Sequence, residues 1–189
     1  MTNLLAKGAD PKDDYHGTTP LYIVAEAGHW RLLAPLVRAG ATLDDDDSIA
    51  SPLAIAAFLS NLECVKELLR LGADVNYRFG QGETALLWAA DAPRGPRGSI
   101  HSPLKLTKPT KPDPRLVQRN LEIVRLLIRH GADVNVVSDD GDTALGYARC
   151  YNKVKIAQLL VRAGATNASL SWLRGSQQKN AGPPRDASK

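Results

Sequence analysis

The chain predicts an all-α solenoid in which short two-helix units stack side by side, and three observations predict it. A Gly-Ala step recurs as Gly8-Ala9, Gly40-Ala41, Gly72-Ala73, Gly131-Ala132 and Gly164-Ala165, at intervals of 32, 32, 59 and 33 residues. A second landmark keeps the same rhythm: Thr19-Pro20-Leu21, Ser51-Pro52-Leu53, Thr84-Ala85-Leu86 and Thr143-Ala144-Leu145. After each of these, apolar residues fall at helical spacing, as in Leu62, Val65, Leu68 and Leu69, or Leu121, Val124, Leu127 and Ile128.

Each unit has the same logic. The Thr or Ser of the second landmark suits an N-cap, and the Pro or Ala after it suits the first helical turn. An Ala-rich first helix follows, for example Leu53 to Leu59. A polar turn comes next (Gly28-His29, Ser60-Asn61 or Asn152-Lys153), and then the second helix. The Gly of the Gly-Ala step stands where that helix must stop in a left-handed conformation. Repeats are expected at 13–44, 45–76, 77–135 and 136–167, after a partial unit at 1–12 and before a short cap and basic tail at 168–189.

The T-P-L-x-x-x-A pattern, followed by Gly-His, Leu-Leu and Gly-Ala-Asp-Val-Asn at a 33-residue period, resembles the ankyrin repeat. The resemblance covers residues 1–167 apart from the insertion. It implies an ankyrin-repeat solenoid of stacked helix-turn-helix units with short β-turn fingers between repeats. It also implies a concave face formed by the fingers and first helices. The chain departs from the pattern in four places. It opens at Leu4-Leu5, inside a second helix; Ile49 replaces a finger glycine; and Tyr22, Ala54, Leu87 and Gly146 stand where the repeat has histidine. Pro35 falls inside a second helix, where it costs about 3 kcal/mol unless the helix kinks or restarts.

The chain of 189 residues carries a formal charge of +4, unevenly spread. Residues 91–119 hold seven Lys or Arg against two Asp, and residues 168–189 hold four against one, so the rest of the chain is net −4. The third repeat contains the extra 26 or so residues, an insertion at about 91–119. With six prolines, it reads as an extended, polyproline-like or disordered loop. It is expected to leave from the edge opposite the fingers. It could be a tolerated insertion, a docking segment, a phosphorylation site around Ser102-Pro103, or a basic patch. Leu170–Leu173 with Trp172 is expected to cover the end of the array, and 174–189 to be disordered.

No residues are arranged for catalysis. The histidines are scattered, Cys64 and Cys150 lie far apart, and no His/Cys cluster has metal-ligand spacing. Asp44 to Asp47 lack the alternating ligands of a calcium loop. No catalytic residue, metal or cofactor is expected, and the chain reads as a non-enzyme. The N-terminus, Met1 to Gly8, lacks a signal-peptide layout, no apolar run approaches a membrane span, and two cysteines suit a reducing compartment. A monomer of the cytoplasm or nucleus is the expectation.

The resemblance places partner binding on the concave face. Carried across position by position, the exposed finger residues are Tyr15, His16 and Thr18; Asp47, Ser48 and Ala50; Gly80, Gln81 and Glu83; and Asp139, Asp140 and Asp142. The ends of the first helices offer Glu26 and Ala27, Phe58 and Leu59, Asp91 and Ala92, and Cys150 and Tyr151. Carboxylates around large apolar groups suit a basic, partly apolar protein or peptide partner. The alternatives are a fragment of a longer protein whose activity lies elsewhere, and nucleic-acid binding through the basic insertion and tail. The latter lacks aromatic residues interleaved with the basic ones.

Overall fold

A computed structural model describes residues 10–12, 18–44, 50–91 and 113–166, and within them eight α-helices form two layers. The inner layer holds α1 (Pro20–Glu26), α3 (Pro52–Phe58), α5 (Ala85–Asp91) and α7 (Ala144–Cys150). The outer layer holds α2 (Leu33–Arg38), α4 (Leu62–Leu71), α6 (Pro114–Arg129) and α8 (Val154–Arg162). Neighbouring helices pack directly within each layer, and each inner helix packs on its own outer partner.

The inner helices start as their sequences dictate. Thr19, Ser51, Thr84 and Thr143 accept hydrogen bonds through their hydroxyl oxygens from the amides of Tyr22, Ala54, Leu87 and Gly146, at 3.2, 3.1, 3.5 and 3.0 Å. Each N-cap satisfies a donor that the first helical turn leaves open. Behind each cap Leu21, Leu53, Leu86 or Leu145 is fully buried. The small side chains of Ala54, Ala56, Ala57, Ala89 and Ala90 line the same core. The outer helix α4 ends at Gly72 in the left-handed region, φ 96°, which glycine adopts without the Cβ clash.

The strained proline is accommodated by a restart. A 3₁₀ turn at Trp30–Leu32 precedes α2, and Pro35 is the third residue of the helix that follows. There its missing N–H would have had no intrahelical partner anyway, so the cost of an interior proline is avoided.

Side-chain amides stitch successive repeats together. Asn61 Nδ2 donates to the carbonyls of Ala25 and Glu26 at 2.9 and 3.0 Å, and the buried Asn120 Nδ2 to that of Ala89 at 2.8 Å. On the finger side, Asn76 spans to the next repeat, donating to Gly131 O (3.0 Å) and accepting from Asp133 N (2.8 Å). Asn135 repeats that bridge to Gly164 O and Thr166 N. The fingers close with isolated antiparallel bridges, Phe79 to Glu83 and Val137 to Thr143.

One expectation about the insertion is corrected. Residues 114–119 are not a loop but the first turns of α6, which Asp113 caps by accepting from Arg115 N at 2.8 Å. Pro114 sits at the first helical position, where it is favoured. The readings of 92–112, of Leu170–Leu173 and of the residues after them lie outside the described residues, as do those of Leu4-Leu5 and Ile49.

Candidate protein-binding face

The inner helices and fingers of the third and fourth repeats carry one device twice. Glu83 stands one residue before the N-cap Thr84, and its Oε2 accepts from the indole Nε1–H of Trp88 at 3.0 Å. Asp142 stands one residue before the N-cap Thr143, and its Oδ2 accepts from the Tyr147 hydroxyl at 2.9 Å. In both, a carboxylate at the finger base grips an aromatic donor five residues later, in the middle of the inner helix. The bond fixes the ring's orientation and keeps a charged group beside it.

Around these pairs the aromatic rings continue. Trp88 meets Phe58 of the previous repeat edge-on at 5.5 Å and Phe79 beneath it at 5.2 Å. Tyr151 stacks on Tyr147 with centroids 6.4 Å apart and planes 10° from parallel, and Lys153 Nζ lies 5.5 Å from the Tyr151 ring centroid. That ammonium also donates to the carbonyl of Ala90 at 2.6 Å, tying the fourth repeat to the third. Between the fingers, Asp139 N donates to Gln81 O at 2.9 Å, and Arg78 Nη2 lies 3.1 Å from Val137 O and 3.6 Å from Asp139 Oδ1.

Negative charge gathers here. Burial holds the Glu83 carboxyl above the ordinary glutamate range, and Asp91, Asp140 and Asp142 push it further up, while the Trp88 bond opposes them. Burial likewise raises the Tyr147 phenol, reinforced by its bond to Asp142 and by the charges of Asp142, Asp91 and Glu83. Three carboxylates thus act on Glu83, on a face whose aromatic residues are partly open to solvent.

Several positions expected to be exposed are not. Asp142 is buried, its carboxylate turned onto Tyr147, and Ala50 and Asp91 are buried as well. Phe58 is half-buried against Trp88, and Tyr151 is half-buried in its stack. Leu59 remains 37% exposed, and Glu26, Gln81, Asp139 and Asp140 are exposed. Tyr15, His16, Asp47 and Ser48 lie outside the described residues. The sequence reading passed over Trp88 and Tyr147. The signal was present: an acid one residue before the N-cap and an aromatic four residues after it, in two successive repeats.

Among the described residues no group of His, Cys, Asp and Glu is arranged to hold a metal ion, and no helix is long and apolar enough to cross a membrane. Cys64 is buried in the core, where burial raises its thiol pKa to about 11.

Comparison with known proteins agrees with this architecture. The family described as "Ankyrin repeats (3 copies)" matches residues 1–79 and 116–170. The chain is 35% identical over 128 residues to the human "Ankyrin repeat and SOCS box protein 6", covering 66% of this chain and 26% of that protein. It is 30% identical over 166 residues to the Caenorhabditis elegans "Ankyrin repeat and KH domain-containing protein mask-1", covering 87% of this chain and 5% of that one. An ankyrin repeat-containing protein of Treponema pallidum (strain Nichols) is 28% identical over 149 residues, 78% of this chain and 41% of its own length. The chain therefore spans less than half the length of each of these relatives. With two helical layers, recurring N-caps and glycine stops, and this match over most of its length, the chain belongs to the ankyrin-repeat family, whose repeats mediate protein–protein interaction.

Proposed function

We propose that this chain is an interaction module, serving as an adaptor, scaffold or inhibitor, whose concave face binds a basic, partly apolar segment of a partner protein. The observation that carries this reading is the pair of carboxylate–aromatic contacts, Glu83 with Trp88 and Asp142 with Tyr147, on adjacent inner helices. Carboxylates that crowd one another gain most from a cation brought among them. The rings beside them offer apolar area and cation–π contact. The module acts as a monomer in the cytoplasm or nucleus.

Fluorescence anisotropy with labelled Lys/Arg-rich and Asp/Glu-rich peptides of matched length tests the reading. Basic peptides are expected to bind, to weaken as salt is raised, and to weaken further on the Asp139→Asn/Asp140→Asn variant. Equal binding of the acidic peptide, or unchanged affinity of that variant, contradicts it.

A further inference from the structure

On a surface separate from the concave face, we infer that the end of the fourth repeat is a docking groove for the chain's own Leu170–Leu173 segment, with Trp172 seated between α7 and α8. In the third repeat the same side of the outer helix is covered, because α8 packs on α6, where Leu121 and Val124 are buried. Val154 and Ala157 stand 33 residues later at the equivalent places of α8, and Val161 stands at that of Ile128. Yet Val154 is 54% and Val161 50% exposed, and Ala157 is half-buried. With Ala148, Arg149 and Arg162 they line a groove of about 480 Å³. Two neighbouring valines left in water gain from being covered.

Arg149 decides what can cover them. Ala25, Ala57 and Ala90 each stand six residues after an N-cap, and each is fully buried. The next repeat comes up to this position: Asn61 donates to the carbonyl of Ala25 and Lys153 to that of Ala90. Six residues after Thr143 the chain has Arg149 instead, and it is exposed. A guanidinium side chain occupies the space into which a further inner helix would pack. The groove therefore favours a smaller occupant that covers the valines and leaves the Arg149 charge in water.

The chain carries such an occupant within reach. The 23 residues after Thr166 contain no Gly-Ala step, and their large apolar side chains are Leu170, Trp172 and Leu173. Thr166 is anchored just past α8, its amide donating to Asn135 Oδ1 at 3.0 Å. Trp172 is six residues further on, a span of at most about 20 Å. The nine residues of α8 extend about 13 Å, so the whole groove lies within that span. An indole buries about 150–250 Å² of surface, and its face attracts the guanidinium groups of Arg149 and Arg162 at the groove's rim.

Nuclear Overhauser spectra of the full chain, with ¹³C-labelled valine methyls, test this. Cross-peaks are expected from the Trp172 ring to the methyls of Val154 and Val161. The Trp172 indole N–H is expected to resonate away from its position in a synthetic peptide of residues 167–189. Val161→Lys, a change at an exposed site, is expected to return it to the peptide position while the Trp30 and Trp88 signals stay in place. A Trp172 signal that coincides with the peptide's in the unaltered chain overturns the inference. So do cross-peaks seen only between differently labelled chains, with a doubled mass in light scattering, since a second copy then covers the groove. The reading of the concave face does not depend on either result.

Discussion

Glu83 accepts a hydrogen bond from the indole of Trp88 at 3.0 Å, five residues further along the chain. The bond joins the base of a finger to the middle of the helix it introduces, so finger and helix present one surface. Asp142 and Tyr147 repeat the relationship one unit later, at 2.9 Å. Charge and aromatic area are thereby held together at a fixed period, and this is the property on which the proposed recognition depends.

The Glu83 carboxyl is expected to leave a signature in pH-dependent stability. Its pKa is raised in the folded protein, first by burial and then by Asp91, Asp140 and Asp142. The folded state therefore holds this proton more tightly than the unfolded chain. The stabilisation is fully present below the unfolded glutamate value and is lost as pH rises through the folded one. Glu83→Gln removes that loss, so the variant gains stability relative to the parent as pH is raised from 4.5 towards neutrality. Denaturation midpoints measured across this range check it, and parallel curves would contradict it.

Two of the bridging asparagines, Asn120 and Asn61, are expected to differ in worth. Asn120 is 1% exposed and bonds the Ala89 carbonyl inside the protein. Asn120→Leu leaves that carbonyl without its partner where water does not replace it, a loss of about 1–3 kcal/mol. Asn61 bonds the carbonyls of Ala25 and Glu26 nearer the surface, where water substitutes in part. Asn61→Ala is expected to lose about 0.5–1.5 kcal/mol. Urea titration of both variants measures the difference, and a costlier Asn61 substitution would reverse the assignment.

The cysteines are expected to react at very different rates. Cys64 is 1% exposed, and its thiol is pushed up to about 11 by burial and by Glu63. Little thiolate is present at neutral pH, and reagent cannot reach it without opening the core. Cys150 is partly exposed at the end of α7. A thiol-labelling time course is expected to modify Cys150 in the native protein, and Cys64 only at the rate of unfolding. Equal native rates would show that the second repeat opens far more readily than its packing implies.

Much of the fold was legible because each repeat writes its own punctuation. Thr84 and Thr143 announce helix starts and Gly72 and Gly131 announce stops, by local chemistry that needs no knowledge of neighbours. The binding face was less legible. Asp142 looks like an exposed finger acid until Tyr147 is brought to it, and that contact depends on how the finger folds back on its helix. Attention to the helix ends also favoured Phe58 and Tyr151 over mid-helix Trp88 and Tyr147. The density of prolines before α6 hid an N-cap followed by a first-turn proline, Asp113-Pro114, which starts a helix and does not prevent one.

The central claim is that basic segments bind where Glu83 grips Trp88, and the indole N–H of Trp88 reports on that spot. The chain has three tryptophans, Trp30, Trp88 and Trp172, so the resonance is assigned by comparison with Trp88→Phe. In a ¹H–¹⁵N titration with a Lys/Arg-rich peptide, the Trp88 indole signal is expected to shift progressively and to saturate, with the Trp30 signal unmoved. A saturating shift at Trp30 with Trp88 unchanged would place binding elsewhere and contradict the account.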